Sequence, residues 1–395
     1  MNICLVNSEY PAGVVTGGIA AYTTAAANAL VQAGCHVHVI IKKGVVPEGL
    51  DDSVVLHEVQ PQKLPVFWVR NLLYRFFWVL NQHLEYGYGV YLKVLELYKQ
   101  KNITLAEIPD YNGEAFFLIL KRVLPICIKL HTPSFLVSRI NGVSPNLKDW
   151  IVKQLESYCI KHATCLISPS RSLAESVSQD LHLKREIGII PYPIQGKNVR
   201  AHHSENKNMI HIVYIGRLEV RKGITLLFNV IPLIFEKGIM VKFHFVGQNM
   251  IQHRKEYEKL LYFLETHPSL KDSVNWVGPV NKDVLEEYFI LADIFVMPSL
   301  YENFPNSLLE AMAAGCAVLA ARNGGMQEII QDHENGLLFQ TNDEQDLYLK
   351  LMTLIEQPSL RDLLGSNAKR TIQDRYSYQM FAKRTIETYT KIFQS

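Results

Sequence analysis

No run of the sequence reaches the roughly 18 uncharged apolar residues that a membrane-spanning helix needs. The opening MNICLVNSEYP also lacks the basic region and long apolar stretch of a signal peptide. A spanning or signal-directed chain is therefore not expected. No C-x-x-C pair occurs, and Cys4, Cys35, Cys127, Cys159, Cys165 and Cys316 sit in apolar runs without regular spacing, which predicts reduced core thiols in a cytoplasmic protein. G-x-G-x-x-G is missing, which removes the main support for a nicotinamide dehydrogenase, and so is the G-x-x-x-x-G-K-[ST] of a P-loop. No D-x-D offers a carboxylate pair to Mg²⁺ or Mn²⁺. The paired histidines His36/His38 and His202/His203 have no acidic neighbours, so they read as structural or solvated and no metal site is expected. An excess of one charge is missing too: Lys+Arg 40 against Asp+Glu 38 argues against general nucleic-acid binding. With 48% hydrophobic and 20% charged residues, disorder, collagen and coiled coil are excluded.

What is present suits two domains, because 395 residues exceed what one core fills. Apolar strand-like runs alternate with helical segments: Asn2 to Asn7, a glycine loop and a helix from Gly18 to Gly34, then strands at 35–42, 54–59, 104–108, 126–132, 163–168 and 186–193. That alternation predicts a parallel, doubly wound α/β sheet covered on both faces. Near Gln195 the pattern stops and IQGKNVRAHHSENKN is polar and aperiodic. Alternation restarts at HIVYIG (211–216), with further strands at 241–247, 274–278, 294–298 and 317–321 and a helix over 306–314. We expect an N-terminal domain over 1–195, a linker over 196–208, a second domain over 209–370, and a C-terminal helix in 371–395 that packs back on the first. Both halves are Rossmann-like, and in open parallel sheets ligands bind beyond the carboxyl ends of the strands, so a shared ligand is expected in a central cleft.

Four constellations carry chemistry. In IFVMPSLYENFPNSLLEAMAAGCAVLAARNGG (294–325) Glu310 is the only charge between Glu302 and Arg322, on a helix apolar nearly all round, so it is expected to be buried or to line a cleft. A carboxylate there needs donors, and the two hydroxyls of a ribose would serve. Asn306 and Ser307, at the positive end of that helix, suit an anion. The alternative is that Glu302 caps the helix or is solvated and Glu310 pairs with a distant Lys or Arg. In HIVYIGRLEVRKGITLL (211–227) Arg217 and Lys222 stand at a strand's carboxyl end beside a helix start, able to neutralise a diphosphate, unless they are solvated surface cations. Thr16-Gly17-Gly18-Ile19 lets backbone amides approach a phosphate, although Gly-Gly loops are common. His131 closes the strand of ICIKLHTPSF; a lone histidine is more often structural than catalytic, but the strand end before Thr-Pro puts this one in the cleft.

In this order these elements resemble family 4 glycosyltransferases of the retaining, GT-B type: Glu302 and Glu310 form an E-x7-E pattern within ENFPNSLLE, and the Gly-Arg...Lys-Gly, Gly-Gly-Ile and strand-end His elements accompany it. The resemblance implies a GT-B fold of two Rossmann-like domains and transfer of a sugar from a nucleotide-diphosphate donor, UDP-sugar before GDP-sugar, to a glycan, glycolipid or small-molecule hydroxyl, without a cofactor or metal. It implies that Arg217 and Lys222 hold the diphosphate, Gly17 and Gly18 meet the phosphate, Glu310 meets the ribose, and Glu302 contacts the donor sugar. Phe304, Pro305, Asn306 and Ser307 would lie against sugar and phosphate, with His131 near the sugar's reactive side. Gly324, Gly325 and Glu328 match a further element. Two departures stand out: Pro191-Tyr192-Pro193 replaces the Asn-Gly of many members, and Pro232 should kink or shorten its helix. A silent nucleotide-sugar-binding shell, an epimerase and a phosphorylase share the frame and remain alternatives. Segment 66–84, with Arg70 and Arg75 among aromatics, is either a partly buried helix or a peripheral contact with an anionic membrane face.

Overall fold

The computed structural model describes residues 1–7, 18–44, 47–65, 78–140, 142, 144, 146–195, 209–248 and 254–394. They form two compact units, Met1–Pro193 with Tyr378–Ser395, and Ile194–Ser377. The expected linker 196–208, Gly17 and residues 66–77 lie outside the described residues.

The first unit is built on a seven-stranded sheet of β1 (Asn2–Asn7), β2 (His36–Lys42), β3 (Val55–Val59), β4 (Leu105–Pro109), β5 (Ile126–Lys129), β6 (Cys165–Ser168) and β7 (Gly188–Ile189). Its order is β3-β2-β1-β4-β5-β6-β7, and every pairing is parallel. Strands β4 and β5 are buried at every position, as a sheet covered on both faces requires. The last strand stops at Ile189, short of the run expected to 193, because Pro191 and Pro193 have no N–H for a ladder. Helix α1 (Gly18–Gln32) buries Ala20, Ala26, Ala27 and Ala29, and these small side chains let its axis approach the sheet closely. Helix α2 (Trp78–Lys99) takes in the described end of segment 66–84. A capping box between Asn146 and Asp149 starts the helix over Leu147–His162. The C-terminal helix, Tyr378–Ile392, packs against α1.

The second unit carries six parallel strands, β8 (Ile210–Ile215), β9 (Val241–Val246), β10 (Val274–Gly278), β11 (Ile294–Met297), β12 (Ala317–Ala321) and β13 (Leu337–Phe339), in the order β10-β9-β8-β11-β12-β13. The short β13 lies beyond the runs expected from the sequence. The helix over Ile224–Phe235 contains Pro232 and ends three residues later. In each unit the winding reverses beside the first strand, between β1 and β4 and between β8 and β11. Such switch points open a crevice at the strands' carboxyl ends.

Candidate active site

At the second unit's switch point, the chain leaves β8 through Gly216 and Arg217 and makes a 3-10 turn over Val220–Lys222. Gly223 follows at φ 65°, and a Cβ there would stand 2.0 Å from the carbonyl oxygen of Pro298 at the end of β11. Only glycine permits that approach. The approach brings the cations of the turn against the loop after β11, where the Leu300 N–H donates to the Arg221 carbonyl at 2.7 Å.

The charges then alternate. Arg217 Nε meets Glu219 Oε1 at 2.6 Å, Arg221 lies 3.5 Å from Glu219 Oε2 and 3.4 Å from Glu302 Oε2, and Lys222 Nζ reaches Glu302 Oε1 at 2.6 Å. Three cations face two carboxylates, a surplus of one positive charge. Burial pushes the Glu302 carboxyl up, but Lys222 and Arg221 outweigh it and hold the group below the ordinary glutamate range. Burial likewise opposes the Arg221 charge, and Glu302 and Glu219 more than restore it. Arg221 also donates to the Tyr301 carbonyl at 2.9 Å.

The Glu302 loop is fixed from behind. Its carbonyl accepts the Gly325 N–H at 2.9 Å, and its N–H donates to Asn323 Oδ1 at 3.3 Å. Asn323 in turn donates to the Ser299 carbonyl at 2.8 Å. After buried Phe304, Pro305 caps the helix Asn306–Ala314, whose end is a left-handed Gly315 at φ 84°. Leu308, Leu309, Ala311, Met312 and Ala313 are buried. Glu310 is half-buried, which removes the fully enclosed placement from the two expected: it stands on the open side of the helix, one turn past Asn306.

In the first unit, His131 follows β5. Its N–H and that of Thr132 donate to the Asp110 carboxylate, at 3.0 and 3.3 Å. These bonds hold Thr132 at φ 143°, a strained conformation for a β-branched residue. Burial and the neighbouring Glu156 raise the Asp110 carboxyl well above its usual range in spite of those amides. His131 Nδ1 lies 2.6 Å from Tyr192 Oη. Behind it, Lys129 is 1% exposed, donates to the Ile190 carbonyl at 2.7 Å, and sits 4.9 Å from the Tyr22 ring centroid and 5.5 Å from that of Tyr192. Burial drives its pKa down to about 8, against the pull of Glu107. Glu107 accepts the hydroxyls of Tyr22, at 2.8 Å, and of Tyr389 from the C-terminal helix.

Two family profiles match in tandem, Glycosyltransferase Family 4 over residues 16–195 and Glycosyl transferases group 1 over residues 196–371. The chain belongs to the family 4 glycosyltransferases. An uncharacterized glycosyltransferase of Methanocaldococcus jannaschii is 26% identical over 98% of this chain and 98% of its own. The sulfoquinovosyl transferase of Arabidopsis thaliana is 30% identical over 47% of this chain and 34% of its own. In fold, this glycosyltransferase is similar to the sucrose-phosphate synthase of Thermosynechococcus elongatus, with TM-score 0.79 and 21% identity over 99% of both chains. It is also similar to an Anabaena protein solved with UDP and glucose, with TM-score 0.73 and 17% identity over 99% of both chains. These likenesses make the architecture GT-B.

Of the residues singled out in the glycosyltransferase sequence, Arg217, Lys222 and Glu302 come together in one ion-pair chain, and Phe304, Pro305, Asn306, Ser307 and Glu310 continue from it along one loop and helix. Gly324 and Gly325 pack on the Glu302 loop, while half-buried Glu328 lies in the short helix Met326–Ile329. Gly18 and His131 belong to the other unit, where Gly18 opens α1. Sequence reasoning missed Glu219 and Arg221, whose inward direction is set by the 3-10 turn. It also missed Glu107 and Lys129, although a lone charge inside an apolar strand was a signal for both. Among the described residues no three His, Cys, Asp or Glu side chains are grouped to hold a metal, and His38 Nδ1 instead meets His57 Nε2 at 2.9 Å. His202 and His203 lie outside the described residues. No described helix is long and apolar enough to cross a membrane.

Proposed function

We propose that this glycosyltransferase moves a sugar, with retention of configuration, from a nucleotide-diphosphate donor to a hydroxyl of a glycan, glycolipid or small molecule. A UDP-sugar is the first choice of donor and a GDP-sugar the second, and the anomeric bond breaks without a metal ion. The observation that carries the reading is the chain Arg217–Glu219–Arg221–Glu302–Lys222 beside the N-terminus of the Asn306–Ala314 helix. As the bond from the anomeric carbon to the diphosphate breaks, its electron pair leaves with the phosphate. Negative charge then grows where three cations and the amides of Asn306 and Ser307 are already arranged, so little reorganisation is needed. Glu310, half-open and one turn on, takes the ribose hydroxyls. Phe304 and Pro305 shape the wall against the sugar, Gly17 and Gly18 meet the phosphate, and His131 hydrogen-bonds the sugar. The Anabaena neighbour's complex with UDP and glucose supports the uridine choice.

Glu302 serves as an electrostatic organiser. Both its oxygens face cations, which lowers their basicity and makes the carboxylate a poor nucleophile. Retention is therefore assigned to a front-face path, in which the acceptor hydroxyl attacks on the side the diphosphate leaves and its proton passes to the departing phosphate oxygen. The acceptor is assigned to the first unit, with the glycan or glycolipid brought to a cytoplasmic site; contact with a membrane through 66–84 belongs to the same proposal.

The test is a thermal-shift titration with UDP, GDP and ADP in chelator, on wild type and Glu310→Ala, followed by the anomeric configuration of the product. Stabilisation by one nucleotide that grows with its concentration and is lost in the variant supports the donor assignment. Nucleotide binding without acceptor-dependent diphosphate release would instead make the chain a binding shell.

A further inference from the structure

The Pro191-Tyr192-Pro193 departure has a structural counterpart at His131. Proline fixes φ at 191 and 193, and the residue before a proline is restricted as well, so Tyr192 is held on a stiff segment. The Lys129 ammonium pins the preceding Ile190 carbonyl at 2.7 Å. The Tyr192 ring is 5% exposed and packs on Tyr22 at 4.8 Å between centroids. So placed, its hydroxyl oxygen meets His131 Nδ1 at 2.6 Å. The imidazole is further fixed by the edge-on Tyr22 ring at 5.0 Å and by the Asp110 bonds to its backbone.

We propose that Tyr192 is a positioning residue that sets the tautomer of His131, its hydroxyl donating to Nδ1 so that the ring proton resides on Nε2. The direction follows from relative acidity: a phenol is a stronger acid than a neutral imidazole N–H, and an imidazole nitrogen is a stronger acceptor than a phenol oxygen. Which nitrogen carries the proton is set by the bond the other makes. Burial, and then the charge of Lys129, keep the imidazole well below its ordinary pKa, so it works as a neutral donor through Nε2–H. In the glycosyltransferase reading on which this role rests, such a donor holds a sugar hydroxyl without adding a charge that would compete with the diphosphate's cations.

The experiment is ¹⁵N NMR of the histidine-labelled full chain at neutral pH, with the His131 signals identified by their loss in His131→Gln. The expected result is a protonated Nε2 and a bare Nδ1 in wild type, moving toward mixed tautomers in Tyr192→Phe. Tyr22→Phe, whose hydroxyl serves Glu107, should leave the tautomer unchanged. In parallel, Tyr192→Phe should lower kcat by about ten- to a hundredfold, the size lost when an outer partner orienting an imidazole is removed, with the donor KM nearly constant. A proton on Nδ1 in wild type overturns the proposal, and so does a tautomer indifferent to Tyr192→Phe. The NMR arm needs no substrate, so it decides the tautomer even if wild type transfers no sugar, in which case only the transfer reading fails.

Discussion

Lys222 Nζ and Glu302 Oε1 stand 2.6 Å apart, with the two side chains only 15% and 9% exposed. A charge so enclosed depends on its partner. Lys222→Met removes the nearer of the two cations on Glu302, leaving that of Arg221 at 3.4 Å, and should cost on the order of 3 kcal/mol in urea denaturation. Turnover should fall about 10²- to 10³-fold as charge stabilisation is lost. Unchanged stability would show that the pair is better solvated than its burial implies.

The same pair sets an acid response. The folded Glu302 carboxyl titrates below its ordinary 4.5 because Lys222 and Arg221 outweigh burial. A depressed carboxyl stabilises the fold in full above the unfolded pKa, and that contribution is lost as pH falls through the folded value. The stability difference between wild type and Glu302→Gln should therefore be flat from neutral pH down to about 5 and shrink below about 4.3. A difference that grows on acidification would reverse the assignment.

Glu156 should respond in the opposite sense. It is fully buried and accepts the Asn112 and Ser134 N–H groups, yet burial pushes its pKa from 4.5 up to about 7. The folded state keeps this proton to higher pH than the unfolded chain, so the contribution is complete below 4.5 and disappears as pH rises to about 7. Relative to Glu156→Gln, which cannot ionise, wild type should lose on the order of 3 kcal/mol across that window. Parallel stability curves for the two proteins would refute this.

Gly325 and Gly315 separate steric from conformational demand. A Cβ on Gly325 would lie 1.6 Å from the Asn303 carbonyl oxygen, so Gly325→Ala must displace the loop that bears Glu302. The expected cost is about 3 kcal/mol, together with loss of turnover. At Gly315, φ is 84° but the nearest obstacle is 3.8 Å away, and Gly315→Ala should cost about 1 to 2 kcal/mol with activity retained. Equal losses in thermal unfolding and activity at the two sites would contradict the placement of the Glu302 loop.

Alternating apolar runs and helices made the doubly wound sheets legible, and even the strand ends of β10 and β12 coincide with the runs read from VNWVG and AVLAA. The three residues of β13 fell below any periodic signal. Spacing singled out Arg217, Lys222 and Glu302, because chemistry at a strand's carboxyl end follows from topology. Arg221 escaped since nothing local distinguishes a cation turned inward from its solvated neighbour. Tyr389 and Glu107, 282 positions apart, are joined by tertiary packing alone, which no window of sequence contains.

The return of residues 378–395 to the first unit has a consequence for biosynthesis. A ribosome delivers β1 through β7 first, but the helix that brings Tyr389 to Glu107 emerges only after the whole second unit has been made. The N-terminal half is thus completed last, and a nascent chain must carry an unfinished face on α1 while its C-terminal half folds.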